Sequence, residues 1–390
     1  MTWASHLSTV DDGMVAAEEA IAVIDERLGG PGGDLALLFL SPNHQPRARA
    51  IVDRIDEAFP GVVLIGCSGA GIIGGGIETE GPSALSLTVG AAPGALLQPF
   101  TLDSDDLPAA DDGAAWRAVT GMGPEDRPSF LLLADPFTCE VQQLLEVFDG
   151  AYPGCPKVGG LASGARRAGG HLFVCDGEIR HAGAVGLAIG GGLTVDTVVA
   201  QGCRPIGHPY FITRGEENLI HELGGRPGQE VVSELVDGLP AEEQELVGRG
   251  LFLGLGLADK RDEYRLGDFL IRNLLGWDRD SGALVVGGEI APLDVVQFQV
   301  RDARTSREEL DGLLREYVGR RGPPEAALLF SCLGRGVGLY GEPNHDSDLT
   351  RRCLGELPIG GFFCSGEIGP VGGRTFLHGY TSSLALLRPR

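Results

Sequence analysis

The chain lacks a basic surplus. Its 31 lysines and arginines face 54 aspartates and glutamates, which leaves a net charge of −23. Proteins that hold a nucleic-acid backbone carry a basic patch or stripe, so no nucleic-acid partner is expected; the acidity reads as a solvated surface. A long apolar run is also missing. The longest uncharged stretches, residues 61–77 and 182–195, fall short of the roughly 18 apolar residues of a membrane span, and glycine dilutes both. Residues 1–10 show no basic region followed by an apolar one, so no export signal is expected. Eight cysteines occur, but none in a C-x-x-C pair, and no histidines stand at i, i+4. A structural zinc site therefore has no support, and reduced thiols in the cytoplasm are expected. There is no G-x-x-x-x-G-K-[ST] phosphate loop. Neither a metal nor a cofactor is expected.

What the chain has in excess is glycine, 62 of 390 residues, about twice the usual share of roughly 7%. No Gly-X-Y period is present, which excludes collagen. A hydrophobic content of 43% excludes a disordered glycine-rich chain. The glycines therefore belong to a folded protein.

Hydrophobic spacing gives the organisation. Residues 15–28 have helical spacing and stop at Gly29-Gly30-Pro31. Then follow a strand-length apolar run (35–40), an amphipathic helix (47–59), a second strand (62–65) that runs into Gly66-Cys67-Ser68-Gly69-Ala70-Gly71, and a third strand (84–89). The order recurs at 130–134, 141–148, 157–164 and 183–189. It recurs once more at 326–330, 346–354, 358–367 and 382–387. Residues 251–257, 283–289 and 295–300 are a candidate fourth, diverged copy. Such self-similarity points to duplicated units. The expected fold is mixed α/β, with two related domains built from repeated sheet-and-helix units and a join near residues 202–209. In the second half, helices are expected at 229–236, at 267–275 and at 306–318, the last announced by the capping-box pattern Ser306-Arg307-Glu308-Glu309.

Several motifs are candidates for chemistry. Gly69-Ala70-Gly71-Ile72-Ile73-Gly74 and Gly336-Val337-Gly338-Leu339-Tyr340-Gly341 both match G-x-G-x-x-G. Neither precedes a helix whose N-terminus could hold a pyrophosphate, so both read as tight turns. Ser68 falls one position short of a G-x-S-x-G nucleophile elbow. Cys332 ends an apolar strand, and Arg335 follows close enough to activate a thiolate; the alternative is a packed thiol. His345 and His378 are the candidate bases. Arg335, between Gly334 and Gly336, can present a fork to a carboxylate, or it can form a structural ion pair with Glu367 or Asp302. Glu367, after Gly366, is a carboxylate at a glycine-rich strand end, followed by His378, Tyr380 and Thr381.

Taken together, Ile206-Gly207, Arg272-Asn273-Leu274-Leu275-Gly276, the segment from Val296 to Asp302, Ser331-Cys332-Leu333-Gly334-Arg335-Gly336 and the segment from Gly360 to Gly369 resemble the FIST proteins (F-box and intracellular signal transduction). The resemblance implies a FIST N-terminal domain over residues 30–205 and a FIST C-terminal domain over 206–390. With no F-box, kinase or cyclase module visible, it implies a stand-alone bacterial-type member. It implies a sensory protein that binds a small ligand, an amino acid or related metabolite, and signals through a protein partner, rather than an enzyme. The positions that match the family's motifs are Cys332, Gly334, Arg335, Gly336, Gly366 and Glu367, with Asn273 and Arg301 as second choices and Tyr380 nearby. On this reading Arg335 takes the ligand carboxylate and Glu367 its ammonium. An enzyme with Cys332 as nucleophile and an interaction scaffold without ligand are the alternatives.

Overall fold

The computed structural model describes residues 1–256, 267 and 269–390. The chain forms two compact units, Met1–Val199 with Asp311–Arg390, and the inserted Ala200–Leu310. Strands and helices mix in both, as the α/β reading requires.

The larger unit is built from three copies of one strand-and-helix pattern. The first runs β1 (Thr2–Ser8), α1 (Gly13–Leu28), β2 (Leu35–Leu40), α2 (Ala48–Ala58), β3 (Val63–Ser68), β4 (Ile72–Gly74), β5 (Ile77–Thr79) and β6 (Leu85–Ala91). The second runs β7 (Ala95–Leu102), α3 (Gly113–Thr120), β8 (Ser129–Ala134), α4 (Val141–Ala151), β9 (Lys157–Leu161), β10 (Phe173–Cys175), β11 (Glu178–Arg180) and β12 (Ala184–Gly191). The third opens with β13 (Leu193–Ala200). The inserted unit follows, with β14 (Cys203–Pro205), β15 (Tyr210–Glu216), β16 (Leu219–Leu223), β17 (Arg226–Pro227), α5 (Gly228–Gly238), α6 (Ala241–Arg249), β18 (Leu251–Gly256), β19 (Phe269–Trp277), β20 (Leu284–Val286) and β21 (Val295–Arg301). The third copy resumes with α7 (Ala303–Arg321), β22 (Ala326–Cys332), α8 (Gly336–Tyr340), α9 (His345–Leu354), β23 (Ile359–Cys364), β24 (Glu367–Val371), β25 (Arg374–His378) and β26 (Ser382–Pro389).

The three sheets have matching strand orders: β1-β6-β2-β3-β10-β11, β7-β12-β8-β9-β24-β25 and β13-β26-β22-β23-β4-β5. Each copy keeps four strands and gives its short hairpin away. The first copy's hairpin pairs with the third sheet (Gly74 opposite Gly360), the second's with the first (Cys67 opposite Phe173) and the third's with the second (Gly160 opposite Glu367). The exchange is cyclic. It also explains why no helix follows Gly69–Gly74: the chain there is crossing to a neighbouring sheet.

Apolar runs such as β2 are buried throughout because both faces of the sheet are covered. Leu35, Leu37 and Phe39 enter a core shared by all three copies, with Leu131, Leu133, Phe330 and Phe362. The alternate residues Ala36, Leu38 and Leu40 pack against Ala16, Ala20 and Ile24 of α1 and Ile51 and Ile55 of α2. Phe39 stacks on Phe362 at 5.1 Å, and Phe330 meets both edge-on. Each such ring contributes about 1.5–3 kcal/mol by burial.

In all three copies a glycine sits where the second parallel strand presses on the first. A Cβ at Gly66, Gly159 or Gly361 would lie 1.9, 1.9 or 2.0 Å from the carbonyl oxygen of Leu38, Leu132 or Leu329. Part of the glycine excess is thus a packing requirement repeated three times.

Several details differ from the sequence reading. Gly336–Tyr340, read as part of a tight turn, is the short helix α8. Residues 269–277 are a strand rather than the expected helix at 267–275. The run Phe269-Leu270-Ile271 is too short for periodicity to separate the two states, and antiparallel pairing with β18 decides it. The candidate fourth copy is no copy. β18 and β21 pair antiparallel, whereas β2–β3, β8–β9 and β22–β23 are parallel; Leu257 lies outside the described residues. Helix α7 starts at Ala303 because Asp302 caps it, accepting from the Thr305 N–H at 2.7 Å. The first strand, β1, has no counterpart in the sequence reading. Among the described residues no helix is long and apolar enough to cross a membrane.

Candidate functional site

The motif residues of the third copy gather where β22 ends and β24 begins. Cys332 closes β22, and the turn through Gly334 delivers Arg335 into the interior, where it is wholly buried. Gly336 adopts φ +62°, and its neighbour Val337 donates its N–H to Glu80 at 2.9 Å. Helix α9 then presents His345 and Asp346 from its first turn.

Asp346 is the partner of Arg335. Nε and Nη2 donate to its two carboxylate oxygens at 2.7 and 3.1 Å. Ser331 donates to the same carboxylate at 3.1 Å, and His345 Nδ1 lies 3.0 Å from it. The Tyr340 ring stacks on His345, and the guanidinium lies 5.5 Å from its centroid. Burial alone would push the Asp346 carboxyl up, but the Arg335 charge and His345 hold it well below the usual carboxylate range. Arg335 is therefore in an ion pair with Asp346. Asp302 is bonded instead to Arg204, at 2.9 Å in the smaller unit.

Glu78 reaches this cluster from the first copy, on the exchanged hairpin. It accepts from the Ser347 N–H at 2.6 Å. Burial, with Asp346 close by, pushes its carboxyl up to about 7, against the opposing pull of Ser347 and Arg335.

Glu367 starts β24 and is also wholly buried. Its Oε2 accepts from the Thr381 N–H at 3.0 Å, while Oε1 has no hydrogen-bond partner. Burial pushes this carboxyl well above the ordinary range; the Thr381 N–H, the Arg335 charge and the Cys332 thiol offset part of the effect. Enclosure thus favours the neutral form of Glu367. Arg335 Nη1 reaches the Tyr380 carbonyl at 3.4 Å. Tyr380 itself has φ +63°, a conformation costly for a non-glycine residue and found mostly where surroundings impose it. The Gly334 N–H points at the Cys332 sulfur, 3.4 Å away.

The structure thus brings Cys332, Gly334, Arg335, Gly336, Gly366, Glu367 and Tyr380 into one region of the larger unit. Asn273, in β19, and Arg301, at the end of β21, belong to the smaller unit. Sequence reasoning missed Asp346 as the partner of Arg335, although His345-Asp346-Ser347-Asp348 is a recognisable acidic helix start. It had no means of finding Glu78, 269 residues from Ser347.

Two other readings meet plain geometry. Ser68 is wholly buried and accepts from the Leu172 N–H. The nearby His171–Asp135 pair, 2.7 Å apart, turns its other ring nitrogen to the Ala165 N–H at 3.2 Å. That pair ties a loop together and does not serve the hydroxyl. Among the described residues no cluster of three or more His, Cys, Asp or Glu suits a metal ion.

A family model described as the FIST N domain matches residues 34–226, and one described as the FIST C domain matches residues 229–370. The chain belongs to the FIST family. FIST domains are associated with signal transduction and small-ligand sensing. The chain is 38% identical to an uncharacterized protein of Mycobacterium tuberculosis strain H37Rv, over 97% of its own length and 98% of the relative's. It is 37% identical to one of Mycobacterium bovis, over 97% and 96%. An F-box/LRR-repeat protein of Arabidopsis thaliana is 30% identical over 32% of this chain and 28% of its own. A crystal structure of a cyanuric acid hydrolase from A. caulinodans aligns over 100% of this chain and 99% of that one at 14% identity; its TM-score of 0.29 supports no argument.

Proposed function

We propose that this FIST protein is a cytoplasmic small-ligand sensor that recognises an ammonium-bearing metabolite of the amino-acid class at Glu367 and signals through a protein partner. One observation carries the reading: a wholly buried carboxyl with one oxygen unpartnered. Buried polar atoms in folded proteins nearly always have partners, and an exception calls for an explanation. A ligand ammonium supplies that partner, and on its arrival Glu367 ionises. Arg335 is then a positioning residue. Through Asp346 and the Tyr380 carbonyl it holds the loop whose Thr381 N–H steadies Glu367. Eight free cysteines accord with a reducing compartment.

The test is a thermal-shift panel of amino acids, each beside its N-acetyl derivative, which keeps the side chain and carboxylate but loses the ammonium. Free amino acids are expected to raise the melting temperature, their acetylated forms are not, and Glu367→Gln is expected to abolish the shift. An acetylated form that stabilises as well as its parent would defeat the proposal. A second reading, a covalent role for Cys332, draws on its partial exposure and the N–H aimed at its sulfur. It predicts a Cys332 adduct, seen by mass spectrometry, with the metabolite that shifts the melting temperature.

A further inference from the structure

A cavity of about 550 Å³ lies in the larger unit, away from Glu367. Its walls come from four segments, one of them the turn Gly154-Cys155-Pro156 before β9. The open edge of β13 supplies Val195, Asp196, Thr197, Val198 and Val199; helix α7 supplies Leu313, Glu316, Tyr317, Arg320 and Arg321; and the β24–β25 hairpin supplies Pro370, Gly373 and Thr375. β13 ends its sheet, with β26 as its one neighbour there. Successive side chains of a strand point to opposite faces. A cavity over one face would be lined by alternate residues, whereas five consecutive residues line this one. The cavity therefore runs along the outer edge of β13, where the Val195 N–H is taken by the Ser129 hydroxyl at 3.3 Å and the backbone groups of Thr197 and Val199 point away from the sheet. The helix side shows positions i, i+3, i+4, i+7 and i+8, a single face.

The charges in this groove are unevenly spent. Asp196 is held by Arg388 at 2.5 Å and by the Tyr317 hydroxyl at 3.1 Å. Glu316 pairs with Arg320. Arg321 has no carboxylate partner among the described residues. An occupant that meets these groups needs a backbone able to pair with a strand edge, small apolar side chains for Val195, Leu313 and Pro370, and one carboxylate for Arg321.

We propose that this groove binds an extended peptide segment of a partner protein by strand addition to β13, with aliphatic side chains and an acidic residue placed opposite Arg321. Main-chain hydrogen bonds give such a complex its affinity, and the side-chain positions give its specificity. The location gives the contact a consequence. β13 runs to Ala200, where the smaller unit begins, and α7 holds Asp311, where the chain returns to the larger unit. A segment seated in the groove grips both stretches of chain at the insertion points.

The test uses an array of acetylated hexapeptide amides in which valine or isoleucine alternates with aspartate, serine or lysine, read by fluorescence polarisation and by hydrogen exchange over residues 193–200. Saturable binding by the aspartate peptides is expected, with slowed exchange in that stretch. Arg321→Glu should weaken binding at least tenfold, and methylating alternate peptide nitrogens should abolish it. The proposal is overturned if no aspartate peptide slows exchange at millimolar concentration, if the methylated peptides bind equally well, or if butyrate alone gives the same protection, which would assign the groove to a small anion. The amino-acid response at Glu367 is measured separately, so failure of either site leaves the other standing.

Discussion

Asp346 and Arg335 form a two-pronged ion pair at 2.7 and 3.1 Å, and neither side chain is more than 1% exposed. Removing one partner strands the other charge in the interior, which typically costs about 3–5 kcal/mol. Arg335→Ala should therefore lose stability of that order in urea denaturation. Arg335→Lys keeps the charge but not the fork and should fall between. An alanine variant within about 1 kcal/mol of the parent would show that the pair does not hold the region together.

The pH dependence has a definite sign. Glu78 titrates at about 7 in the folded chain against a reference value of 4.5. The folded state thus binds this proton more tightly than the unfolded state does, and stability falls as pH rises from about 4.5 to about 7. At about 1.4 kcal/mol per pH unit, the loss is on the order of 3 kcal/mol. Glu367, also raised, acts in the same direction; Asp346, lowered, acts oppositely and only in acid. Glu78→Gln should be more stable than the parent at pH 8 and close to it at pH 5, and equal denaturation midpoints at pH 8 would contradict this.

Ligand binding should release a proton. Burial favours the neutral form of Glu367, and on the proposed reading it ionises against an ammonium group, so affinity for a stabilising amino acid should increase as pH is raised. Calorimetry in buffers of different ionisation enthalpy measures the proton count directly. No release, or affinity that falls with pH, would count against ionisation of Glu367 on binding.

Glycine substitutions should divide by location. A methyl group at Gly361 would lie 2.0 Å from the Leu329 carbonyl oxygen, and backbone cannot yield that far. Gly361→Ala should fail to fold or lose several kcal/mol, a typical core overpacking loss being about 1–3. Gly312, inside α7, meets nothing within 4 Å, and Gly312→Ala should gain up to about 1 kcal/mol. Thermal denaturation of the two variants compares them directly.

Thiol reactivity should follow burial. Cys332 and Cys353 are partly exposed, while the other six cysteines are buried. Brief iodoacetamide treatment of the native protein should label Cys332 first and Cys353 more slowly, because burial and Asp311 push the Cys353 thiol up to about 11. Early labelling of Cys67 or Cys364, both buried in the core, would be inconsistent with the described packing.

Much of the larger unit was legible in the sequence because its segments signal locally. The run Leu35–Leu40 is an apolar strand with the bounds expected for it. The helix over residues 15–28 ends at Gly29 in the left-handed conformation, as a Gly-Gly-Pro stop implies. Three occurrences of the pattern were visible, beside a candidate fourth, and three copies form the larger unit. The run over 269–277 was not legible, because apolar residues alone do not distinguish a strand from a buried helix. Cys332, Arg335 and Glu367 could be singled out for their chemistry and their glycine neighbours. Their partners could not, because hydrogen bonding across 269 residues leaves no trace in spacing.

By itself the sequence determined the mixed α/β class, the recurrence of one strand-and-helix pattern, the glycine-rich strand ends, the net negative charge and, through its motifs, the family. The class, the recurrence and the charge follow from periodicity and composition, which act over a few residues at a time; the family follows from the likeness of particular motifs. Only the tertiary structure decided that each copy gives its hairpin to another copy's sheet, that Arg335 answers to Asp346, and that Glu367 is left buried with one oxygen unpartnered. Those outcomes depend on long-range pairing and on the exclusion of water. The same carboxyl that is an ordinary surface charge in solvent is, once enclosed, pushed toward its neutral form.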